Sequence, residues 1–206
     1  MSDKKTVIAI NRGFGSGGRI IGGMLSERLG VHFYDKELIY LASEESGINA
    51  ALFGQADENL RKSFFKKNFV YDHKILPPDS SDFTSDDNLF NYQAKIIRDL
   101  AEESSCVIVG RCADFILKDM PNVISVFVYA SQDACVKNVC ELYGVDEKEA
   151  LKIITKTDKR RADYHRYYAG TEWDNARNYD LSLDSSKLGF EKCVDIIEDY
   201  IKIFNR

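Results

Sequence analysis

A glycine cluster placed just after the first apolar run is the feature that most constrains this chain. Thr6-Val7-Ile8-Ala9-Ile10 reads as a buried strand, Gly13-Phe14-Gly15-Ser16-Gly17-Gly18-Arg19 as a loop, and Ile20 to Leu29 as a helix. Strand, glycine loop and helix in that order form the setting of a phosphate-binding loop. Without Cβ atoms the backbone can approach an anion closely, and the loop N–H groups and the helix dipole then favour negative charge. The spacing Gly13-x-x-x-x-Gly18 fits the P-loop template, which continues with Lys and then Ser or Thr; here Arg19 and Ile20 follow. An Arg holds phosphate oxygens through paired N–H groups, whereas Ile20 has no hydroxyl for magnesium. The candidates for holding a phosphorylated cofactor are Gly13, Gly15, Ser16, Gly17, Gly18, Arg19 and Ile20. A turn that merely connects strand to helix is the other reading of these residues.

Length leaves room for one domain with a substantial core: 206 residues, 44% apolar and 30% charged. No stretch of about 18 apolar residues is present, so no membrane span is expected. The start of the chain lacks a signal-peptide pattern, and a cytoplasmic location is the expectation. The five cysteines form no C-x-x-C pair and the three histidines have no ligand spacing with them, so reduced thiols and no structural metal are expected. A net charge of −5 argues against general nucleic-acid binding.

Further apolar runs at Val31–Tyr34, Cys106–Val109, Val123–Tyr129 and Tyr179–Leu183 alternate with helical periodicity, which predicts a parallel sheet covered on both faces. Helices are expected over 37–45, 57–70, 88–103, 131–143, 146–168 and 189–204, with Ser131 as a cap and Asp146 with Glu149 as a capping box. The stretch Lys74 to Asp87, rich in Pro, Ser and Asp, reads as a solvated, mobile loop.

In such folds ligands bind beyond the carboxyl ends of the strands. That rule nominates Asp35 and Lys36 after the second strand, and Arg111 and Asp114 after the third, as substrate-binding residues. The run Lys156 to Tyr168 concentrates cations, Arg160 and Arg161 among them, in an otherwise acidic chain. Phosphoryl transfer needs cations on the moving group, although such a run also suits a solvated helix face.

These segments, in order, resemble the cytidylate kinase-like family of P-loop nucleoside monophosphate kinases. The matching residues are Phe14 to Arg19, Phe33-Tyr34-Asp35-Lys36-Glu37-Leu38, Val107 to Asp114, Arg160 to His165, and Tyr179-Asp180-Leu181 with Asp184-Ser185-Ser186. The resemblance implies a P-loop α/β fold with strand order 2-3-1-4-5, an acceptor-binding insertion over about 45–88 and a lid over about 156–170. It also implies ATP and Mg2+ as the donor pair, Arg111 as a grip on the acceptor phosphate, and Arg160 and Arg161 as lid arginines on the transferred group. Arg19, Arg160 and Arg161 are accordingly the catalytic candidates. The family pattern Gly-Lys-Gly-Thr is replaced by Gly18-Arg19-Ile20-Ile21 here. Two classes of function stay open: an ATP-dependent phosphotransferase acting on a nucleoside monophosphate or other small acceptor, and a nucleotide-binding, regulatory protein with little turnover.

Overall fold

A short run that is apolar at every position suits a strand buried on both faces. Val7-Ile8-Ala9-Ile10 and Cys106-Val107-Ile108-Val109 are such runs. In the computed structural model, which describes residues 5–59, 71 and 74–205, they pair at the middle of the sheet. Strands β1 (Val7–Arg12), β2 (His32–Tyr34), β3 (Cys106–Val109), β4 (Val123–Tyr129) and β5 (Leu181–Asp184) are all parallel, in the order β2-β3-β1-β4-β5. This is the fold class and strand order expected from the sequence.

The two-residue alternation of the strands divides their side chains between two cores. Ile8, Ile10, Val107 and Val109 face helices α1 (Gly18–Leu29) and α9 (Phe190–Phe204), where Ile21, Leu25, Val194 and Ile197 are buried. Val7, Ala9, Cys106 and Ile108 face the opposite layer, formed by α4 (Asp86–Glu103), the short α5 (Ala113–Ile116) and the C-terminal half of α7 (Glu147–Ala169). There the rings of Phe90 and Tyr168 stack with centroids 3.9 Å apart. This packing anchors the end of α7 to the sheet, so the middle of that helix is carried over the carboxyl ends of β1 and β3.

Helices α2 (Glu37–Ser46), α3 (Ala50–Asn59), α6 (Gln132–Tyr143) and α8 (Ser185–Leu188) complete the described α-helices. The expected caps form: the Ser131 hydroxyl accepts the Ala134 N–H, and Asp146 accepts the Glu149 N–H at 2.8 Å. The reciprocal arm of the capping box does not, because Glu149 pairs with Lys152 instead, at 2.9 Å. Most of the helix expected over 57–70 lies outside the described residues; its first residues close α3.

The stretch 74–85 departs from the expected mobile loop. It is turn-rich but tied to α4 by two buried asparagines. Asn88 accepts the Leu76 N–H at 2.8 Å and donates to the Phe83 carbonyl at 2.7 Å, and Asn91 donates to the Lys74 carbonyl at 2.7 Å. Ile75 and Phe83 then pack against Phe53, Leu89 and Tyr92 in a small core that this stretch shares with α3 and α4. Polar composition suggests solvation, but side-chain amides on the next helix satisfy the backbone as well as water would.

Candidate active site

β1 ends at Arg12, and the chain turns through Gly13–Gly17 into α1, with Gly15 and Gly17 in the left-handed region at φ 82 and 79. The buried Ser16 hydroxyl donates to the carbonyls of Gly13 (2.8 Å) and Val128 (3.0 Å), so this side chain fixes the loop to β4. Helices α4, α6 and α7 each begin on a side-chain cap. Helix α1 has none, and no acidic residue stands in its first turn. Its first internal bond runs from the Ile21 N–H to the Gly17 carbonyl at 2.9 Å. The N–H groups of Gly18, Arg19 and Ile20 precede it and have no carbonyl within the helix to bond. The loop therefore presents a backbone cradle with the helix dipole behind it, the arrangement that binds phosphate.

One donor of the loop is already engaged by a carboxylate. The Phe14 N–H donates to Asp158 on α7, at 2.8 and 3.2 Å to its two oxygens. Arg161, one turn further along α7, donates to the Arg12 carbonyl at 3.0 Å, lies 3.3 Å from Asp158 and covers the Phe14 ring at 5.3 Å. Burial disfavours both charges of this pair: it raises the Asp158 carboxyl and lowers the Arg161 guanidinium, although each partner opposes the shift in the other. Arg160 stands on the exposed side of the same helix.

The structure brings some of the nominated residues together and directs others elsewhere. Arg19 reaches across to Asp35, Nε to carboxylate 2.6 Å, with its side chain 66% exposed. Lys36 precedes α2 and is exposed, as is Ile20 on the first turn of α1. Arg111 follows β3 with φ 59, and Cys112 repeats the left-handed conformation with φ 54. Such backbone costs roughly 1–3 kcal/mol for each non-glycine residue and concentrates at functional sites. Asp114 does not offer a free carboxylate. It accepts the Asn11 amide at 2.7 Å and faces His165 Nε2 at 2.8 Å, and its side chain is 6% exposed. His165 Nδ1 lies 3.1 Å from the Thr171 carbonyl, which can only accept. Burial lowers the His165 pKa, but Asp114 and Thr171 outweigh it, and the net shift is upward. The pair fastens α7 to β1 and α5.

The sequence reading passed over Arg12. Its side chain runs from the end of β1 past the first residue of α1 to the turn after β3. A Cβ at Gly18 would overlap Arg12 Cβ, and one at Gly110 would overlap its guanidinium. Gly18 must be glycine for this close approach, because Arg12 Cβ cannot move aside; at Gly110 the positive φ of 81 favours glycine as well as the contact. Burial, reinforced by the nearby Arg161 and Arg111 and opposed by Asp35 and Asp158, pushes Arg12 down to about 9. The available signal was a charged residue closing a largely apolar strand immediately before the glycines.

The first turn of α1 carries no side-chain oxygen for magnesium, since Ile20 stands where the template has a hydroxyl. Donor phosphates fit the cradle; a magnesium site on this turn does not. The guanidiniums of Arg111 and Arg161 lie close enough to Arg12 to act on its charge.

A phosphate cradle between β1 and α1, at the carboxyl ends of a 2-3-1-4-5 parallel sheet, defines a P-loop protein of the kinase type. The chain belongs to the cytidylate kinase-like family, whose sequence profile matches residues 7–187. An uncharacterized protein from Eubacterium ventriosum has a similar crystal structure, at 32% identity and a TM-score of 0.71, covering 96% of this chain and 99% of that one. Shikimate kinase from Bacteroides thetaiotaomicron shares the fold at 14% identity and a TM-score of 0.53, covering 96% and 98%. No curated protein shows significant sequence similarity to the chain. Among the described residues, no helix is long and apolar enough to cross a membrane.

Proposed function

We propose that this protein is an ATP-dependent phosphotransferase that moves the γ-phosphoryl group of ATP to a small acceptor, a nucleoside monophosphate or another phosphorylated or hydroxyl-bearing molecule. The observation that carries this reading is the meeting of an uncapped phosphate loop with Arg111 and Arg161, which arrive from separate elements at the same strand ends. A connecting turn would need no such gathering of cations. The loop and the first N–H groups of α1 hold the donor phosphates. Arg161, with Arg160 beside it on α7, faces the group in transit, where charge spreads over the equatorial oxygens. Arg111 takes the acceptor side of the crevice, with Asp35 and Lys36 near its rim. In the transfer the bond between Pγ and the ADP oxygen breaks and a bond from Pγ to the acceptor oxygen forms; a hydroxyl acceptor also releases its proton, whereas a phosphate acceptor is already ionised.

The second reading is a nucleotide-binding protein with little turnover. The Asp158 carboxylate on the Phe14 N–H favours it, because a donor phosphate must compete with that contact. ADP release from ATP, followed over a panel of nucleoside monophosphates and hydroxylated acids, separates the two. The phosphotransferase reading expects acceptor-dependent ADP release well above the acceptor-free rate. ATP binding with no acceptor dependence across the panel would support the second reading.

A further inference from the structure

A guanidinium has five N–H donors and no acceptor, so its burial is costly unless an anion or carbonyl faces it. The Arg12 guanidinium makes no hydrogen bond or ion pair among the described residues; only its backbone carbonyl is engaged, by Arg161. It nevertheless lies against the Gly110 turn, within the field of Arg111 and Arg161, and keeps part of its surface open to solvent. Two cations beside it add repulsion, and the carboxylates in its field, Asp35 and Asp158, are spent on Arg19 and on Arg161 with Phe14. The side chain extends from the first residue of α1, at the donor loop, to the turn that carries Arg111, on the acceptor side. Arg19, the residue that spacing puts in the template's lysine position, is turned out to Asp35. The first α1 position, against Arg12, is a glycine, and any side chain there would collide with it.

Building on the phosphotransferase reading, we propose that Arg12 is the catalytic cation that grips the terminal, transferred phosphoryl group of ATP, in the role the P-loop template gives to a lysine. The cation thus comes from the strand before the loop instead of the helix after it, and Gly18 and Gly110 are the two gaps that let it through. A guanidinium in this place reaches two phosphate oxygens at once, which partly offsets a first turn that offers magnesium no hydroxyl.

The test measures ATP and ADP affinity by calorimetry, together with melting temperature, for the wild type, Arg12→Gln and Arg12→Lys. A grip on the terminal phosphoryl group predicts that Arg12→Gln weakens ATP roughly 10- to 100-fold while ADP stays within about twofold, so the preference for ATP collapses. Arg12→Lys should recover part of that preference. Arg12→Gln should also melt at or above the wild-type temperature, because it removes an unpaired cation held among others. A merely structural Arg12 would lower the melting temperature and leave the ATP-to-ADP ratio unchanged, which overturns the proposal, as does a variant that fails to fold. If Arg19→Gln, measured alongside, abolishes the preference while Arg12→Gln keeps it, the role belongs to Arg19. A wild-type protein that binds no ATP brings down the donor assignment itself, a result distinct from an Arg12 variant that binds like wild type.

Discussion

Asp114 and His165 show how a residue can be in the right place for chemistry and yet be used for architecture. Both stand near strand ends, and both are spent on each other, on Asn11 and on the Thr171 carbonyl. The His165 pKa is raised in the folded protein, with the Asp114 and Thr171 contacts, supported by Glu172, overcoming burial. A raised histidine pKa contributes stability that is fully present below the unfolded value of about 6.5 and lost as pH rises through the folded value. Urea unfolding at a series of pH values from 6 to 9 should therefore show stability falling, and the fall should be shallower in His165→Asn. Equal slopes in the two proteins would show that the pair carries no linked proton. Spacing made Asp114 a candidate because it can count residues from a strand end but cannot show which carboxylates already have partners. Arg12 was missed for the complementary reason. The template looks for its cation after the glycines, and only the overlap of Arg12 with Gly18 and Gly110 shows that space was cleared for one before them.

At the scale of elements, α7 is the helix that touches the loop, through Asp158 and Arg161. The sequence shows its length, its Asp146 cap and its cations, all of which the structure contains as a 23-residue helix. It does not show that Asp158 would occupy a loop N–H, since that contact joins residues 144 apart in the chain. Asp158→Asn keeps the shape and removes a negative charge that faces incoming phosphate. ATP should bind about fivefold more tightly, equivalent to ~1 kcal/mol of repulsion at an effective dielectric between water and a protein interior. Titration calorimetry reads this directly; weaker binding would mean that Asp158 shapes the loop for ATP. If α7 acts as a lid, hydrogen exchange across Lys156 to Gly170 should slow when ATP and acceptor bind together, because bound anions relieve the repulsion among Lys156, Lys159, Arg160 and Arg161. Unchanged exchange with both ligands bound would make this run a solvated face.

For the molecule as a whole, the apolar runs and their alternation with helices were enough to place every strand, with the ends of β1 and β5 displaced by one or two residues. The strand order came through the resemblance, since periodicity says nothing about which strands are neighbours. The stretch 74–85 was the hardest part to read. Its composition suggested solvent, while its order depends on Asn88 and Asn91, which belong to the helix that follows. Asn88→Ala should cost about 2–4 kcal/mol in urea unfolding, since the Leu76 N–H and the Phe83 carbonyl both lose their partner. A loss below about 0.5 kcal/mol would mean that water replaces the amide freely. The reaction proposed here is the loss of ATP's terminal phosphoryl group in the crevice where the glycine loop meets the arginines. It is tested most directly by incubating the protein with ATP labelled in its γ-phosphoryl group and an acceptor panel, and following the label by mass spectrometry. Label is expected on one class of acceptor with the wild type, and at least a hundredfold less with a folded Arg161→Ala variant. Label that stays on ATP, or that moves equally well without Arg161, would contradict it.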